Sequence, residues 1–226
     1  SSAMITVVGA GDHPVVRAGL HEVLEAAAGI SVVAEGASGV EALRLVVQHR
    51  PDVLLLDVRL PDLSGLEVCE HLCQRVSDTA VLALTAYGDA RTVFGLLERG
   101  ASGYVLKGEA LDVLVSAVRA TAAGGTWLSP AVASQVVSRA LDDPSPKPSE
   151  SSAFSLTPRE TQVLRLLAQG LDNGAISECL MVTKRTVQNH VSNIYAKLHT
   201  SSRVQAALWA IRNGLADVAP ADGEQD

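Results

Sequence analysis

The chain has 226 residues, 47% of them hydrophobic, and a formal net charge of -7 at pH 7. That length suits one large domain or two ordinary ones, and the apolar content excludes disorder over most of the chain. No apolar run approaches the roughly 18 residues that span a bilayer, and no charged-then-apolar leader is present, so we expect a cytoplasmic protein without a membrane partner. Residues 1–3, ahead of Met4, resemble the remnant of an expression tag.

The first half of the chain alternates short apolar runs with amphipathic stretches. This alternation is typical of a doubly wound α/β domain with a parallel five-stranded sheet. We predict strands at 4–9, 31–35, 53–57, 80–84 and 102–106. Helices are predicted from Pro14, from a cap at Ser38, and at 64–76, 88–99, 109–123 and 130–141. The expected apolar faces of the first two helices are Val15, Val16, Leu20, Val23 and Leu24, and Val40, Leu43, Val46 and Val47.

The third predicted strand is the most informative stretch of this half. Its four consecutive apolar residues, 53–56, show no alternation, which predicts a strand buried on both faces. Asp57 follows directly, at the end of the strand where open α/β sheets bind their ligands. Aspartate is also a common residue at strand ends, so Asp57 alone does not define a site.

The composition changes at residues 142–155, where three prolines lie among serines and acidic residues. Such a segment cannot bury a core and is predicted to be an extended linker. The segment 155–214 then holds seven basic and three acidic residues, a net charge of +4. Because the whole chain carries -7, the rest carries -11, and this asymmetry predicts a separate module with an anionic partner.

The second module is predicted to consist of four short helices. Thr157 and Glu160 form a capping box around Pro158, which marks a helix start. The third helix has an inward apolar face, and residues 215–226 form an acidic tail without expected structure. The other helix starts are expected at Asp172, at Thr183, and at Ser201 or Ser202, and the inward face comprises Val187, Val191, Ile194 and Leu198.

Four polar side chains follow strands of the predicted sheet and are expected at its carboxyl edge: Asp12, Asp57, Thr85 and Lys107. Two carboxylates, a hydroxyl and an ammonium group suit a small hard cation together with a phosphoryl group. Mg²⁺ prefers carboxylate oxygens, a backbone carbonyl and water. A carboxylate can also attack phosphorus to give an aspartyl phosphate, whose charge the ammonium group of Lys107 would neutralise.

Several stretches of the chain match one family in order and spacing. In the first half they are Asp-His-Pro at 12–14, Pro-Asp at 51–52, Asp-Val-Arg-Leu-Pro at 57–61, Leu-Thr at 84–85 and Gly-Ala-Ser-Gly-Tyr-Val-Leu-Lys at 100–107. In the second they are Leu-Thr-Pro-Arg-Glu at 156–160, Gly-Leu-Asp-Asn at 170–173, Thr-Val-Gln-Asn-His-Val at 186–191, Lys-Leu at 197–198 and Arg-Val-Gln-Ala-Ala at 203–207. The chain thereby resembles the LuxR/NarL-type two-component response regulators over almost its whole length.

The resemblance implies a flavodoxin-like sheet of order 2-1-3-4-5 joined to a four-helix helix-turn-helix domain. The receiver domain would span residues 4–124, an extra helix 125–141, the linker 142–155 and the DNA-binding domain 156–214. The protein would be a transcription regulator and not an enzyme. Its partners would be DNA and a sensor histidine kinase, and its active form a homodimer.

The resemblance also implies residue roles in the receiver domain. Asp57 would accept the phosphoryl group from the histidine kinase. Mg²⁺ would be held by Asp57, Asp12 and the backbone carbonyl of Arg59. The remaining implied roles are phosphate binding by Lys107 and switching by the pair Thr85 and Tyr104.

The third helix of the second module is expected to read DNA in the major groove. Glutamine and asparagine can pair with adenine edges, whereas lysine and arginine mostly contact phosphates. On the last helix, more apolar surface is present than the module needs for its own core, which predicts a dimer contact. The DNA-facing residues are expected to be Lys184, Arg185, Gln188, Asn189 and Ser192, and the dimer contact Val204, Leu208 and Ile211.

Gly11 departs from the family pattern, which usually has two adjacent acids after the first strand. Two interpretations stay open: a tolerated loss of one outer carboxylate, or a regulator with weak Mg²⁺ affinity that works partly without phosphorylation. A second alternative for the function is an atypical regulator gated by ligand or protein binding without phosphorylation. Gly108 also departs, since an acid is common there. A third alternative is an aspartyl-phosphate hydrolase, but such phosphatases usually carry a second acid two residues after the nucleophile, where this chain has Arg59.

Overall fold

The computed structural model describes residues 4–74, 78–86, 90–109, 111–128, 156–200 and 202–216. The chain divides into two compact units, Ser1–Asp143 and Pro144–Asp226. The predicted tag remnant, the predicted helix at 130–141, the predicted linker and residues 217–226 lie outside the described residues. Within the described ranges, no helix combines the length and apolarity needed to cross a bilayer.

Five parallel strands form the sheet of the first unit. In chain order they are β1 (Ile5–Ala10), β2 (Ile30–Gly36), β3 (Val53–Asp57), β4 (Ala80–Thr85) and β5 (Gly103–Leu106). Their order across the sheet is β2-β1-β3-β4-β5, and each neighbouring pair is parallel. The predicted sheet is therefore confirmed, and the carboxyl ends of β1, β3, β4 and β5 share one edge.

The helices between these strands begin where local sequence favours a helix start. Pro14 is the first residue of the first helix, where its missing N–H costs no hydrogen bond. The Ser38 hydroxyl caps the second helix by accepting a hydrogen bond from the N–H of Glu41 at 3.2 Å. Both predicted starts are confirmed. The helices are α1 (Pro14–Ala26), α2 (Gly39–His49), α3 (Gly65–Gln74), α4 (Ala90–Glu98) and α5 (Leu111–Ala122).

Strand β3 lies at the centre of the core. All five of its residues are buried, and Val53, Leu54 and Leu56 have no exposed surface. Side chains on both faces of a parallel strand pack against helices, which is why the apolar run is unbroken. The same strand carries Asp57 to the carboxyl edge of the sheet.

The predicted apolar faces of α1 and α2 are partly wrong. Val15 and Val16 in α1 are 84% and 37% exposed, and Val40 and Val47 in α2 are 57% and 63% exposed. A helix on a sheet buries only one stripe, and these valines flank that stripe. A small residue that the apolar pattern does not emphasise, Ala42, faces the sheet instead. The buried residues are Leu24 in α1, and Gly39, Ala42, Leu45 and Val46 in α2.

Trp127 covers the outer edge of β5. Its backbone N–H donates to the carbonyl of Ser102 at 3.2 Å, and its backbone carbonyl accepts the N–H of Tyr104 at 2.9 Å. Gly103 lies between these contacts, and a Cβ there would come within 2.9 Å of the Trp127 carbonyl oxygen. This pairing satisfies backbone groups that an open sheet edge would leave unpaired, and it fixes the strand that carries Tyr104.

The described part of the second unit consists of four helices with the predicted starts. Each start has a hydroxyl or carboxylate that accepts the N–H three residues later, and the capping box between Thr157 and Glu160 is complete. The capping residues are Thr157, Asp172, Thr183 and Ser202, and the helices are α6 (Pro158–Ala168), α7 (Asn173–Leu180), α8 (Lys184–Leu198) and α9 (Arg203–Arg212).

Helix α9 packs on a face that sequence reasoning did not identify. Trp209 is 5% exposed and lies between two buried alanines of the same face, Ala206 and Ala210. The large indole ring fills the space between helices, while the alanines allow close approach. The residues expected at a dimer contact, Val204, Leu208 and Ile211, are each only partly buried.

Two charged residues are buried in the described part of this unit. Glu160 is 3% exposed, and its Oε2 accepts hydrogen bonds from the Lys197 Nζ and the Thr157 N–H, both at 2.7 Å. Burial raises the pKa of Glu160, but the hydrogen bonds from Lys197 and Thr157 outweigh it and hold that pKa below its ordinary value. Arg203 is 9% exposed and donates to the Leu171 carbonyl, and burial lowers its pKa.

Candidate functional site

Asp57 and Lys107 form an ion pair at the carboxyl edge of the sheet. The Lys107 Nζ donates to the Asp57 Oδ2, and the other carboxylate oxygen accepts the Arg59 N–H at 3.1 Å. The Asp57 side chain is 8% exposed and that of Lys107 22% exposed. A carboxylate this buried needs a counter-charge and hydrogen bonds, and it has both.

Strand β4 positions the lysine. The backbone N–H of Lys107 donates to the carbonyl of Thr85 at 2.8 Å, so the residue after β5 is fixed to the last residue of β4. Because β4 lies between β3 and β5, the long lysine side chain crosses its end to reach Asp57. The arrangement combines a carboxylate nucleophile with a compact cation, which suits phosphoryl transfer to the carboxylate.

Asp12 lies at the end of β1, on the same edge as Asp57. Its side chain is 38% exposed, and its Oδ1 is 3.8 Å from the Nδ1 of His13, which is itself 67% exposed. Gly11, one residue earlier, lines a pocket together with Asp57 and Lys107. The structure therefore brings these predicted residues to one edge, with Asp12 at its solvent side.

Few side-chain donor atoms for a magnesium ion are present at this edge. Within the described ranges, no group of three His, Cys, Asp or Glu side chains is placed to hold a metal. The predicted donors are the carboxylates of Asp12 and Asp57, which lie at this edge, and the backbone carbonyl of Arg59. Mg²⁺ commonly takes one or two carboxylates and completes its octahedral shell with water, so the set is compatible with Mg²⁺.

Gly11 leaves room for a further carboxylate beside Asp57. A Cβ at this position would lie 3.6 Å from the Asp57 Cβ and 3.7 Å from its Oδ2, which is ordinary van der Waals contact. Arg17 flanks the position on the other side, since its Cγ would be 3.8 Å from that Cβ and its Nη1 donates to the Gly11 carbonyl. The departure from the family pattern is thus a missing side chain at a position where a Cβ fits between Asp57 and Arg17.

Thr85 and Tyr104 are both interior residues near this edge. Thr85 is 7% exposed at the end of β4, and Tyr104 is 2% exposed in β5. The two strands pair in parallel, with Thr85 opposite Leu106. Both predicted switch residues are therefore buried near the end of the sheet that carries Asp57.

Two polar residues of the site were missed by sequence reasoning. Arg17 reaches Gly11 from six residues along the chain, and Asp62 binds the start of α2. Neither contact follows a regular helix or strand spacing, so only the tertiary arrangement reveals it.

In the second unit, α8 has one polar and one apolar face, as predicted. Its four inward residues are buried. The Thr183 hydroxyl caps the start of the helix by accepting the Thr186 N–H at 3.2 Å. Three residues separate α7 from α8, and Met181 takes a left-handed conformation in that turn. The outward residues are all exposed: Lys184, Arg185, Gln188, Asn189 and Ser192.

Two family descriptions match the two units. "Response regulator receiver domain" matches residues 7–119, and "Bacterial regulatory proteins, luxR family" matches residues 154–210. The transcriptional regulatory protein LiaR of Bacillus subtilis (strain 168) is 38% identical over 215 residues, covering 94% of this chain and 99% of that protein. The chain belongs to the LuxR-family response regulators.

Further comparisons agree with this membership. The transcriptional regulatory protein DegU of Brevibacillus brevis is 36% identical over 222 residues, covering 93% of this chain and 94% of that protein. The crystal structure of a LuxR-family two-component response regulator from Aurantimonas sp. SI85-9A1 is similar with a TM-score of 0.58 and 32% identity, covering 62% of this chain and 99% of that one. The LuxR-family response regulators are DNA-binding transcription regulators and are not known as enzymes.

Proposed function

We propose that a partner histidine kinase phosphorylates Asp57 and that the phosphoryl group controls DNA binding by the second unit. The observation that carries this proposal is the pair of Asp57 and Lys107 at the carboxyl edge of the sheet. The carboxylate is held by the Arg59 N–H on one oxygen and by the lysine on the other. A cytoplasmic location accompanies the proposal, since the chromosome is there.

In the proposed reaction, an oxygen of the Asp57 carboxylate attacks the phosphorus of the donor. A new O–P bond forms, the P–N bond to the kinase histidine breaks, and the imidazole leaves with the bonding electrons. Lys107 then faces both the aspartyl oxygen and the new phosphoryl oxygens, whose negative charge its ammonium group offsets. The Arg59 N–H keeps the carboxylate in a single orientation for the attack.

Mg²⁺ would be held by Asp12, Asp57 and the Arg59 carbonyl. When bound, it would neutralise charge on the phosphoryl oxygens. Thr85 supplies a hydroxyl at the same edge, which would donate a hydrogen bond to a phosphoryl oxygen. The movement of Thr85 toward the phosphoryl group would free space for the ring of Tyr104 on β5.

The proposed DNA surface is the exposed face of α8. Gln188 and Asn189 offer amide groups for adenine edges, and Lys184 and Arg185 lie at the first turn, where they can bind phosphates. We also propose that two copies associate through the partly buried apolar residues of α9. The proposed domain division remains a receiver at 4–124, a linker at 142–155 and a DNA-binding domain at 156–214.

The experiment for Asp57 uses the full chain with acetyl phosphate and Mg²⁺, followed by intact-mass spectrometry. We expect one phosphoryl group on the wild-type chain and none on Asp57→Asn. Asp112→Asn removes an exposed carboxylate of α5 and is expected to label like wild type. Labelling of Asp57→Asn at the wild-type rate would show that another residue is the acceptor.

The experiment for α8 measures binding of the full chain to DNA sites selected from a random pool. Asn189→Ala is expected to cost about 1–3 kcal/mol on the selected site and to relax specificity at one base pair, because it removes a base contact. Lys184→Ala is expected to weaken all sequences alike and to lower the salt slope by about one, because it removes a phosphate contact. Equal losses on selected and random DNA for Asn189→Ala would contradict its role as a base reader.

A second candidate function is an atypical regulator that works without phosphorylation. Gly11 favours it, since it leaves the edge with one carboxylate fewer than the family pattern. Such a protein would stay unlabelled with acetyl phosphate at any Mg²⁺ concentration and would still bind its DNA site. The labelling experiment therefore separates the two candidates.

A further inference from the structure

The loop between β3 and α3, residues 58–64, carries the Arg59 carbonyl that the proposed function assigns to Mg²⁺. We call this segment the site loop. Its Asp62 carboxylate reaches α2: Oδ1 accepts the Gly39 N–H at 2.7 Å and Oδ2 accepts the Val40 N–H at 3.0 Å. Oδ1 also accepts the Leu63 N–H at 2.7 Å.

These are strong hydrogen bonds for an exposed carboxylate. Gly39 and Val40 form the first turn of α2, where N–H groups lack helical partners and the helix dipole favours negative charge. The pKa of Asp62 lies far below its ordinary value, chiefly because the Val40 N–H donates to it. The carboxylate thus stays ionised and bound to the helix.

Close packing accompanies the hydrogen bonds. A Cβ at Gly39 would be 2.7 Å from the Leu63 Cβ and 3.0 Å from the Leu63 carbonyl oxygen, so only glycine allows the loop this near to α2. The two ends of the loop are joined to each other, since the Gly65 N–H donates to the Val58 carbonyl at 2.9 Å. The site loop is therefore held at both ends.

We propose that Asp62 is a positioning residue that holds the site loop against α2 and thereby orients the Arg59 carbonyl toward the ion. The inference rests on the proposed function for the identity of that ion and of its donors. Groups that orient metal ligands typically change metal affinity by about 10–100-fold when removed. With so few donors at this site, the orientation of each one carries more weight.

A helix cap alone would also explain the contacts, and Glu41 separates the two roles. Glu41 is an acid at the same helix start, and its Oε2 accepts the Ala37 N–H at 2.7 Å. It lies outside the site loop. Glu41→Gln removes a negative charge from the α2 start without detaching the site loop, so it is the matched control for Asp62.

In the test, Mg²⁺ is titrated into the full chain without any phosphoryl donor. The heat of binding or the melting temperature of the protein is measured. Asp62→Ala is expected to weaken Mg²⁺ binding by about ten-fold or more, and Asp62→Asn, which keeps one acceptor oxygen, by less. Glu41→Gln is expected to retain wild-type Mg²⁺ affinity. With acetyl phosphate added, Asp62→Ala should label slowly at low Mg²⁺ and approach the wild-type rate at saturating Mg²⁺.

The outcomes distinguish this inference from the proposed function. Unchanged Mg²⁺ affinity in Asp62→Ala and Asp62→Asn, or an equal loss in Glu41→Gln, would overturn the positioning role even if Asp57 labels normally. Absence of Mg²⁺ binding by the wild-type chain would overturn it too. Weakened Mg²⁺ binding in Asp62→Ala together with no labelling of wild-type Asp57 would support the positioning role and contradict the proposed phosphorylation. If Asp62→Ala does not fold, Asp62→Asn decides.

Discussion

Lys197→Met is expected to lower the free energy of unfolding of the second unit by about 3–5 kcal/mol, the cost of leaving a buried charge without its partner. Glu160 is 3% exposed, and without the Lys197 Nζ at 2.7 Å its carboxylate would keep only its contacts with Thr157. The Glu160 side chain is only 4% exposed, so water does not take the place of the lost lysine.

The opposite substitution is expected to cost less. In Glu160→Gln the amide oxygen can still accept the Thr157 N–H, and Lys197, whose side chain is 34% exposed, can turn to solvent. What is lost is one charge-assisted hydrogen bond, about 1.5–3 kcal/mol. The order of the two losses follows from burial, since the acid is enclosed and the base is not.

The pH dependence has a defined sign. The folded-state pKa of Glu160 lies below its ordinary value of 4.5, so its ionisation contributes stability above that value, and this stability is lost as the pH falls through the folded pKa. In Lys197→Met, burial remains while the lysine's contribution is gone, so the pKa of Glu160 rises. The difference in stability between wild type and Lys197→Met should therefore shrink as the pH falls toward 4.

Urea unfolding followed by Trp209 fluorescence measures these losses. Each unit has one of the two tryptophans, so a Trp127→Phe background isolates the signal of the second unit. Lys184→Met, an exposed lysine of the same helix, is the control and is expected to change stability by less than about 0.5 kcal/mol. Equal effects of Lys197→Met and Lys184→Met would show that the ion pair contributes nothing to the fold.

Gly11→Asp is expected to tighten Mg²⁺ binding by about ten-fold, or about 1.4 kcal/mol. The Cβ of the new side chain has room, since it would lie 3.7 Å from the Asp57 Oδ2. Coulomb attraction between a partly solvated carboxylate and a divalent ion about 4 Å apart is about 8 kcal/mol at an effective dielectric near 20, and desolvation cancels most of it. The positive charge of Arg17, on the other side of Gly11, offsets a further part of the attraction between the new carboxylate and Mg²⁺.

The same substitution should lower stability in the absence of metal. A third carboxylate would face Asp57 and Asp12, and Mg²⁺ binding would relieve their repulsion, so the metal-induced rise in melting temperature should be larger in Gly11→Asp. Gly11→Asn adds the same shape without the charge and is the control. If Asp and Asn variants respond alike to Mg²⁺ and label alike with acetyl phosphate, the missing acid is a neutral change.

The features of this chain that depend on local sequence patterns could be predicted correctly. The unbroken apolar run of 53–56 located the central strand, and the caps at Thr157 and Thr183 located helix starts, because each rests on neighbouring residues. The inward face of α8 followed from helical spacing. The strand order of the sheet came from family resemblance rather than from any pattern of residues.

The rule that parallel strands end at one edge brought Asp57 and Lys107 together, but other features that depend on distant contacts were not predicted. The apolar pattern placed Val15 and Val40 inside, although only tertiary packing decides which edge of a helix meets the sheet. The pairing of Glu160 with Lys197 spans 37 residues, and that of Asp62 with Gly39 spans 23. No spacing rule indicates such pairs, because their separation reflects the arrangement of whole helices.

The most direct test of the central claim compares DNA affinity with and without phosphorylation. Full-length wild type and Asp57→Asn are titrated onto a selected DNA site by fluorescence anisotropy, before and after treatment with acetyl phosphate and Mg²⁺. We expect treatment to tighten wild-type binding by about ten-fold, within the usual range of coupling between sites, and to leave Asp57→Asn unchanged. Two results would contradict control of DNA binding through Asp57. One is an unchanged DNA affinity of the wild type although Asp57 is fully labelled, and the other is an equal change in DNA affinity in Asp57→Asn.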